Sequence, residues 1–364
     1  MGKRIYFTVT NDLTYDQRMD RICTSLSANG YEVILVGRKL ASSLPLEKKP
    51  YRQKRIRCFF TKGKLFYAEY NLRLFCFLLF KKMDAICAID LDTILPCLHI
   101  SRWKKIPRIY DAHELFTGLK EVATRPRILK AWTRIEKKAV PQFRLGYTVS
   151  ESIAEEFRKR YGVQYATIRN VPVPYELPAV GHPEKFILYQ GAVNEARGFE
   201  MLIPAMKRVK AKLVICGDGN FMPQLKELIR ANAVEDKVEL KGMMAPAALR
   251  TFSPSACIAV AVPENTGINQ YLALPNKFFD YLQAGLPQVT VNYPEYRRLN
   301  QQYEVAVLLD ELLPEKIAAA LNNLLEDDVL FKRLKENCML ARQEWHWGKE
   351  EKKLLAFYQS VFTG

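Results

Sequence analysis

Phe186-Ile-Leu-Tyr-Gln-Gly191 through Arg197-Gly198, and then Lys212-Leu-Val-Ile-Cys-Gly217-Asp-Gly219, decide how this chain is read. Each begins as a five-residue stretch with four apolar residues that ends at a glycine. The first leads into a helical pattern from Phe199, and the second into one from about Pro223 to Asn232. Short strands alternating with helices are the mark of a parallel sheet with crossover helices.

Working outward, the same alternation continues through Val238–Leu240, Ile258–Val262, Gln288–Val291 and Ala306–Leu309. The first half repeats it with strand candidates Arg4–Val9, Glu32–Gly37, Ile56–Thr61, Ala85–Ile89, Arg108–Asp111 and Gly146–Val149. A helix over Gln17–Asn29 is closed by Asn29-Gly30, where glycine accepts the left-handed cap. Between the halves, Asn170-Val-Pro-Val-Pro-Tyr-Glu-Leu-Pro178, with Gly181 and Pro183, carries too many prolines for a helix or central strand. The chain of 364 residues, room for about two domains of ~150 residues, is therefore divided as 1–170, a linker 171–183, a second α/β domain 184–343 and a terminal segment 344–364. That last segment predicts a helix over Glu344–Phe362 carrying Trp345, Trp347, Leu354 and Tyr358. Two such halves imply a cleft, and open α/β sheets bind ligands at the carboxyl ends of their strands.

Half the residues are hydrophobic and a quarter charged, so the chain is an ordinary folded protein. Its eight cysteines are scattered without a CxxC pair and read as buried reduced thiols. Lys3-Arg4 leads straight into a strand rather than a signal peptide, and Leu74–Phe80 falls short of the ~20 residues a membrane span needs. A cytoplasmic protein is expected, with the inner membrane face as its second setting. The net charge of +16 clusters early, in Arg38, Lys39, Lys48, Lys49, Arg52, Lys54, Arg55, Arg57, Lys62 and Lys64, just before Phe66-Tyr67 and an apolar run ending in Lys81-Lys82. That combination suits an anionic membrane face, or else a solvated loop followed by an ordinary core helix. No nucleic-acid-binding module accompanies it.

Leu274-Pro-Asn-Lys-Phe-Phe-Asp-Tyr-Leu-Gln-Ala-Gly-Leu-Pro287 predicts a helix with proline at its start and glycine at its end. Amides near Asn276 and Lys277, the helix dipole and the Lys277 ammonium would make an anion site. Asp280, one turn on, suits the paired hydroxyls of a ribose, and phosphate with ribose means nucleotide. On spacing alone, a capped amphipathic helix with a solvated Asp280 is the favoured reading. Gly191 would let a ligand approach the backbone, and Arg197 could grip a diphosphate through its planar fork. In Ile109-Tyr-Asp-Ala-His-Glu114, His113 and Glu114 lie just past a buried strand, where a histidine serves sugar hydroxyls, a leaving phosphate or mere structure. Asp12 holds the matching position after the first strand. His99, His182 and His346 lie apart, without a metal-ligand pattern, and neither a P-loop nor a GxSxG elbow is present.

Four blocks together resemble the GT-B retaining glycosyltransferases of family four: Tyr110-Asp-Ala-His-Glu114; Thr148-Val-Ser-Glu-Ser through Ile168-Arg-Asn170; Leu188-Tyr-Gln-Gly191 through Arg197-Gly198 to Gly217-Asp-Gly219; and Leu274-Pro-Asn-Lys277 through Asp280 to Gly285-Leu-Pro287. The resemblance spans nearly the whole chain. It implies two Rossmann-like domains facing each other across a cleft, the second holding a nucleotide-sugar, the first a glycan or lipid-linked acceptor, and the final helix crossing back to the first. It further implies that Gly191, Gly217, Asn276 and Asp280 bind the donor, that Arg197 and Lys277 stabilise the leaving diphosphate without a metal, and that His113 sits near the donor sugar, with Asp12 and Glu114 on the acceptor side. The family's acidic pair, eight positions apart, would put its first member at Leu272, so Glu264 is the candidate to replace it. Ala192 stands where the family favours a basic residue. Rival readings are a nucleotide-sugar epimerase of the same architecture and a non-catalytic membrane or polymer binder.

Overall fold

The computed structural model describes residues 2–14, 16–178 and 185–363. They form two compact units, one running to Asn170 and resuming at Glu350, the other Val171–Lys349.

The first unit holds seven parallel strands: β1 (Arg4–Thr8), β2 (Glu32–Lys39), β3 (Arg52–Arg57), β4 (Ala85–Ile89), β5 (Arg108–Ala112), β6 (Leu145–Thr148) and β7 (Ala166–Thr167). Their order is β3-β2-β1-β4-β5-β6-β7. Because all pairs are parallel, the residues following β4 and β5 emerge at one edge of the sheet. β4 is apolar throughout and β1 is buried from Ile5 to Thr8, as burial on both faces requires. The third strand differs from the sequence reading. It runs over Arg52–Arg57, not Ile56–Thr61, and pairs Ile34 with Arg52 and Arg38 with Ile56. An edge strand tolerates charge along its length, and charge there discourages edge-to-edge pairing, so the apolar Phe59 and Phe60 were the poorer guide.

The terminal helix, Trp347–Thr363, starts three residues later than the sequence suggests, after Trp347 donates its N–H to the Pro172 carbonyl. From Glu350 on, the helix completes the first unit. Tyr358 is fully buried, with its ring 5.9 Å from Phe7 and its hydroxyl 3.3 Å from that of Tyr147. Glu350 accepts the Arg169 N–H at 2.9 Å.

The second unit has six parallel strands, β8 (Phe186–Gln190), β9 (Lys212–Cys216), β10 (Val238–Gly242), β11 (Ile258–Ala261), β12 (Gln288–Val291) and β13 (Ala306–Leu309), ordered β10-β9-β8-β11-β12-β13. Ile187, Tyr189, Leu213, Ile215, Val260 and Val289 anchor its main core. Val171 joins a second cluster with Phe278 and Trp345, and Arg342 donates to the Tyr175 carbonyl at 2.7 Å. Residues 171–178 are thus packed onto this unit. Gly181 and Pro183 of the proline-rich stretch lie outside the described residues.

Because Tyr358 is sealed among aromatic rings, Tyr358→Ala should lower the unfolding free energy by about 3–5 kcal/mol. Urea denaturation checks this. A loss below about 1 kcal/mol would mean that the helix contributes little to the first unit's core.

Candidate functional site

In the second unit, three loops leave the carboxyl ends of β8, β9 and β11 and meet. Gly191 donates its N–H to the Cys216 carbonyl at 2.9 Å, and Val193 donates to Asp218. A Cβ at Gly217 would fall 1.8 Å from the Gly191 oxygen, so only glycine lets these two turns touch. Gly198 has φ +78°, and a Cβ there would lie 2.0 Å from the Val262 oxygen. Glu264, half-buried beyond β11, donates its N–H to the Ala196 carbonyl at 3.2 Å. Residues far apart in sequence are thereby drawn around Arg197.

Lys277 enters this junction from the first turn of the Asn276–Gln283 helix. Its Nζ donates to Tyr189 Oη at 2.7 Å and lies 3.9 Å from the centre of that ring. Tyr189 passes its own proton to the Ala192 carbonyl at 2.9 Å. The Gly191 backbone closes the other side, since a Cβ there would meet Nζ at 3.5 Å. Burial, reinforced by the charge of Arg197 and only partly offset by Asp280, pushes the lysine down to about 7. The Arg197 Nε is buried without a hydrogen-bond partner among the described residues. Two neighbouring basic groups with so little compensation leave positive charge unbalanced at this junction. Asp280 is half-buried one turn beyond Lys277, and Asn276 is exposed at the helix start, where the first amides have no intrahelical acceptor.

The first unit gathers a different cluster. His113 follows β5, and its N–H donates to Asp90 Oδ1 at 2.9 Å. Its Nε2 lies 3.2 Å from Asp111 and its Nδ1 3.6 Å from Asp90. Asp111 is fully buried and also pairs with Arg18 at 2.8 Å. Burial alone would lower the imidazole pKa, but Asp111 and Asp90 outweigh it and raise it to about 9. Asp90 sits at φ 55°, a conformation that costs a non-glycine residue of order 1–3 kcal/mol. Its N–H bonds to the Asp111 carbonyl at 3.0 Å, which holds it there. Burial also raises the neighbouring Asp92 to about 6, although Thr10 donates to it.

Asp12 uses both carboxylate oxygens locally, accepting from the Thr14 amide and hydroxyl and from Ser43. It organises its own loop. Glu114 is exposed beside His113, and Leu272 is half-buried at the end of the short Ile268–Leu272 helix.

The family model for glycosyl transferases group 1 matches residues 178–340, and that for Glycosyltransferase Family 4 matches residues 17–176. The chain belongs to the group 1 glycosyltransferases. An alpha-D-kanosaminyltransferase of Streptomyces kanamyceticus is 22% identical over 214 residues, 53% of this chain and 47% of that protein. The match therefore spans about half the length of that relative. Sucrose-phosphate synthase from Thermosynechococcus elongatus shares the fold with a TM-score of 0.80 at 16% identity over 99% of each chain. Anabaena HepE, solved with UDP and glucose, shares it with a TM-score of 0.74 at 13% identity, over 98% of this chain and 100% of that one.

Within this group 1 glycosyltransferase, the structure brings Gly191, Arg197, Gly217, Glu264 and Lys277 to one junction of loops. In the sequence Asp111 stood out only as an ionisable neighbour of His113, and Tyr189, Asp90 and Asp92 did not stand out. The last two carried a readable signal, because Asp90-Leu-Asp92 follows an apolar strand just as His113 does.

A raised histidine pKa adds stability that is fully present below the unfolded value near 6.5 and is lost as pH rises through about 9. The stability difference between wild type and His113→Gln should therefore reach up to about 3 kcal/mol at pH 6 and shrink steeply in alkaline solution. Urea titrations at both ends of that window measure it. A difference independent of pH would contradict the paired imidazolium.

Proposed function

We propose that this protein transfers a sugar from a nucleoside-diphosphate sugar to a hydroxyl of a glycan or lipid-linked glycan, with retention of configuration and without a metal ion. The observation that carries this reading is the Lys277–Arg197 pair closed against Gly191. As the bond from the sugar to the diphosphate breaks, negative charge grows on the diphosphate while the sugar becomes oxocarbenium-like. Two prepositioned cations and the amides at Asn276 stabilise that charge where it develops, as a metal would elsewhere. Low exposure strengthens the effect, and an incoming diphosphate would restore Lys277 to full charge.

Asp280 is assigned to the ribose hydroxyls and Glu264 to the donor sugar, on the loop tied to Ala196. Gly217 serves by keeping the floor of the site at backbone thickness. The complex of HepE with UDP makes UDP the first donor base to try. At the carboxyl edge of the first sheet, the His113 Nδ1–H, 3.6 Å from Asp90, can turn to sugar oxygens, and Glu114 and Asp12 are the candidates for acceptor hydroxyls. Retention follows if the acceptor oxygen attacks from the face that the diphosphate leaves, its proton passing to the departing phosphate oxygen.

A thermal-shift panel of UDP, GDP, CDP, ADP and dTDP in EDTA tests the donor assignment. One diphosphate should raise the melting temperature selectively, and Asp280→Ala and Arg197→Ala should each weaken it about tenfold or more, about 1.4 kcal/mol. No shift with any of the five, or one unchanged in both variants, would refute the site.

A further inference from the structure

The Gly63–Leu79 helix is apolar on both sides. Phe66, Tyr70, Leu74 and Leu78, four residues apart, are buried in the first unit. The opposite side carries Leu65, Leu72 and Cys76, all exposed, with Phe80 just past the end. Leu72 is 64% exposed and Phe80 84%. A helix apolar all round is ordinarily enclosed, and this one is open along its length of about 25 Å. Past Lys64 its only charged residues, Glu69 and Arg73, neutralise each other at 2.7 Å.

The ends of this strip are held in place. Glu69 accepts the N–H groups of Phe59 and Phe60 at 2.9 Å, and the Arg73 guanidinium lies 5.0 Å from the Phe59 ring centre. Phe59, 85% exposed, is thus fixed on the rim by the helix itself. At the far end Lys104 donates to the Leu79 carbonyl at 2.9 Å and stands 4.7 Å from the ring centre of Trp103, which is 63% exposed.

Charge says what would cover this face. Lys62 and Lys64 flank one end, Lys81 and Lys82 the other, and residues 38–82 hold thirteen Lys or Arg against two Glu. An apolar strip with aromatics at its ends and cations around it matches a bilayer interface, where acyl chains lie beneath anionic headgroups. A second copy of the chain would set these cations against one another, which opposes self-association through the same face.

We propose that the strip from Phe59 through Leu72 to Phe80 and Trp103 seats the protein on an anionic lipid bilayer, lying in the headgroup region without crossing it. The surface deepens the reading of a lipid-linked acceptor and rests on that reading only for its purpose. Binding is therefore measured without donor or acceptor, so a failed donor assignment leaves this test intact.

The experiment is co-sedimentation of the full chain with phosphatidylcholine vesicles, with and without phosphatidylglycerol, at low and high salt. Wild type should bind the anionic vesicles and be released by salt. The double variant Leu72→Glu/Phe80→Glu should bind about tenfold more weakly or worse, because two apolar anchors are lost and two negative charges gained. Both positions are exposed, so its melting temperature should match wild type, and Lys81→Gln/Lys82→Gln should weaken binding independently. Failure of wild type to bind anionic vesicles at low salt would overturn the proposal, as would full binding by the Glu variant. So would a dimer that the Glu variant dissolves, since a second copy would then be the occupant.

Discussion

The second unit turns on one amine, half-withdrawn from water, whose positive charge has little to balance it. Lys277 has one hydrogen-bond partner of its own, the Tyr189 hydroxyl, and the charge acting most on it is the like charge of Arg197. Such an arrangement is unfavourable in isolation, because desolvation and repulsion act in the same direction. An anion bound beside it would relieve both. The features around it serve that geometry. Gly217 thins the floor so that the Gly191 turn can approach, Gly198 lets the Arg197 loop press on Val262, and Tyr189 fixes the lysine against the end of β8.

The first unit uses charge in the opposite way. Arg18, Asp111 and His113 compensate one another in a chain at the ends of β4 and β5, beside Asp90, whose carboxyl burial pushes up to about 7. Compensation makes that cluster rigid and keeps the imidazole charged, which suits orienting neutral hydroxyls better than capturing an anion. The strained backbone of Asp90 persists because bonds to Asp111 and His113 over-determine it. One unit thus leaves positive charge unbalanced, and the other balances it among close partners.

Much of this was legible in the residues. Phe186–Gln190 and Lys212–Cys216 fall where their apolar runs put them, because strands buried on both faces need no alternation to be recognised. Lys277 was legible from proline and glycine at the two ends of its helix. Tyr189 was not, since a tyrosine inside a buried strand reads as core until its hydroxyl is seen to reach the lysine. β3 was misplaced because an edge strand of Arg52-Gln-Lys-Arg55 carries no hydrophobic signal, whereas Phe59 and Phe60 carry one and stay exposed. The helix that follows showed its apolar character in the sequence. Which side remained open depended on packing that no periodicity specifies.

Calorimetric titration of UDP into the protein at pH 8, in two buffers of different ionisation enthalpy, tests most directly whether the half-buried Lys277 takes a diphosphate. Lys277, held near 7 in the free protein, is largely neutral there and must take up a proton as the diphosphate binds. Wild type should show buffer-dependent heat corresponding to proton uptake, and Lys277→Met none. Binding with no proton uptake in wild type would contradict a diphosphate at Lys277.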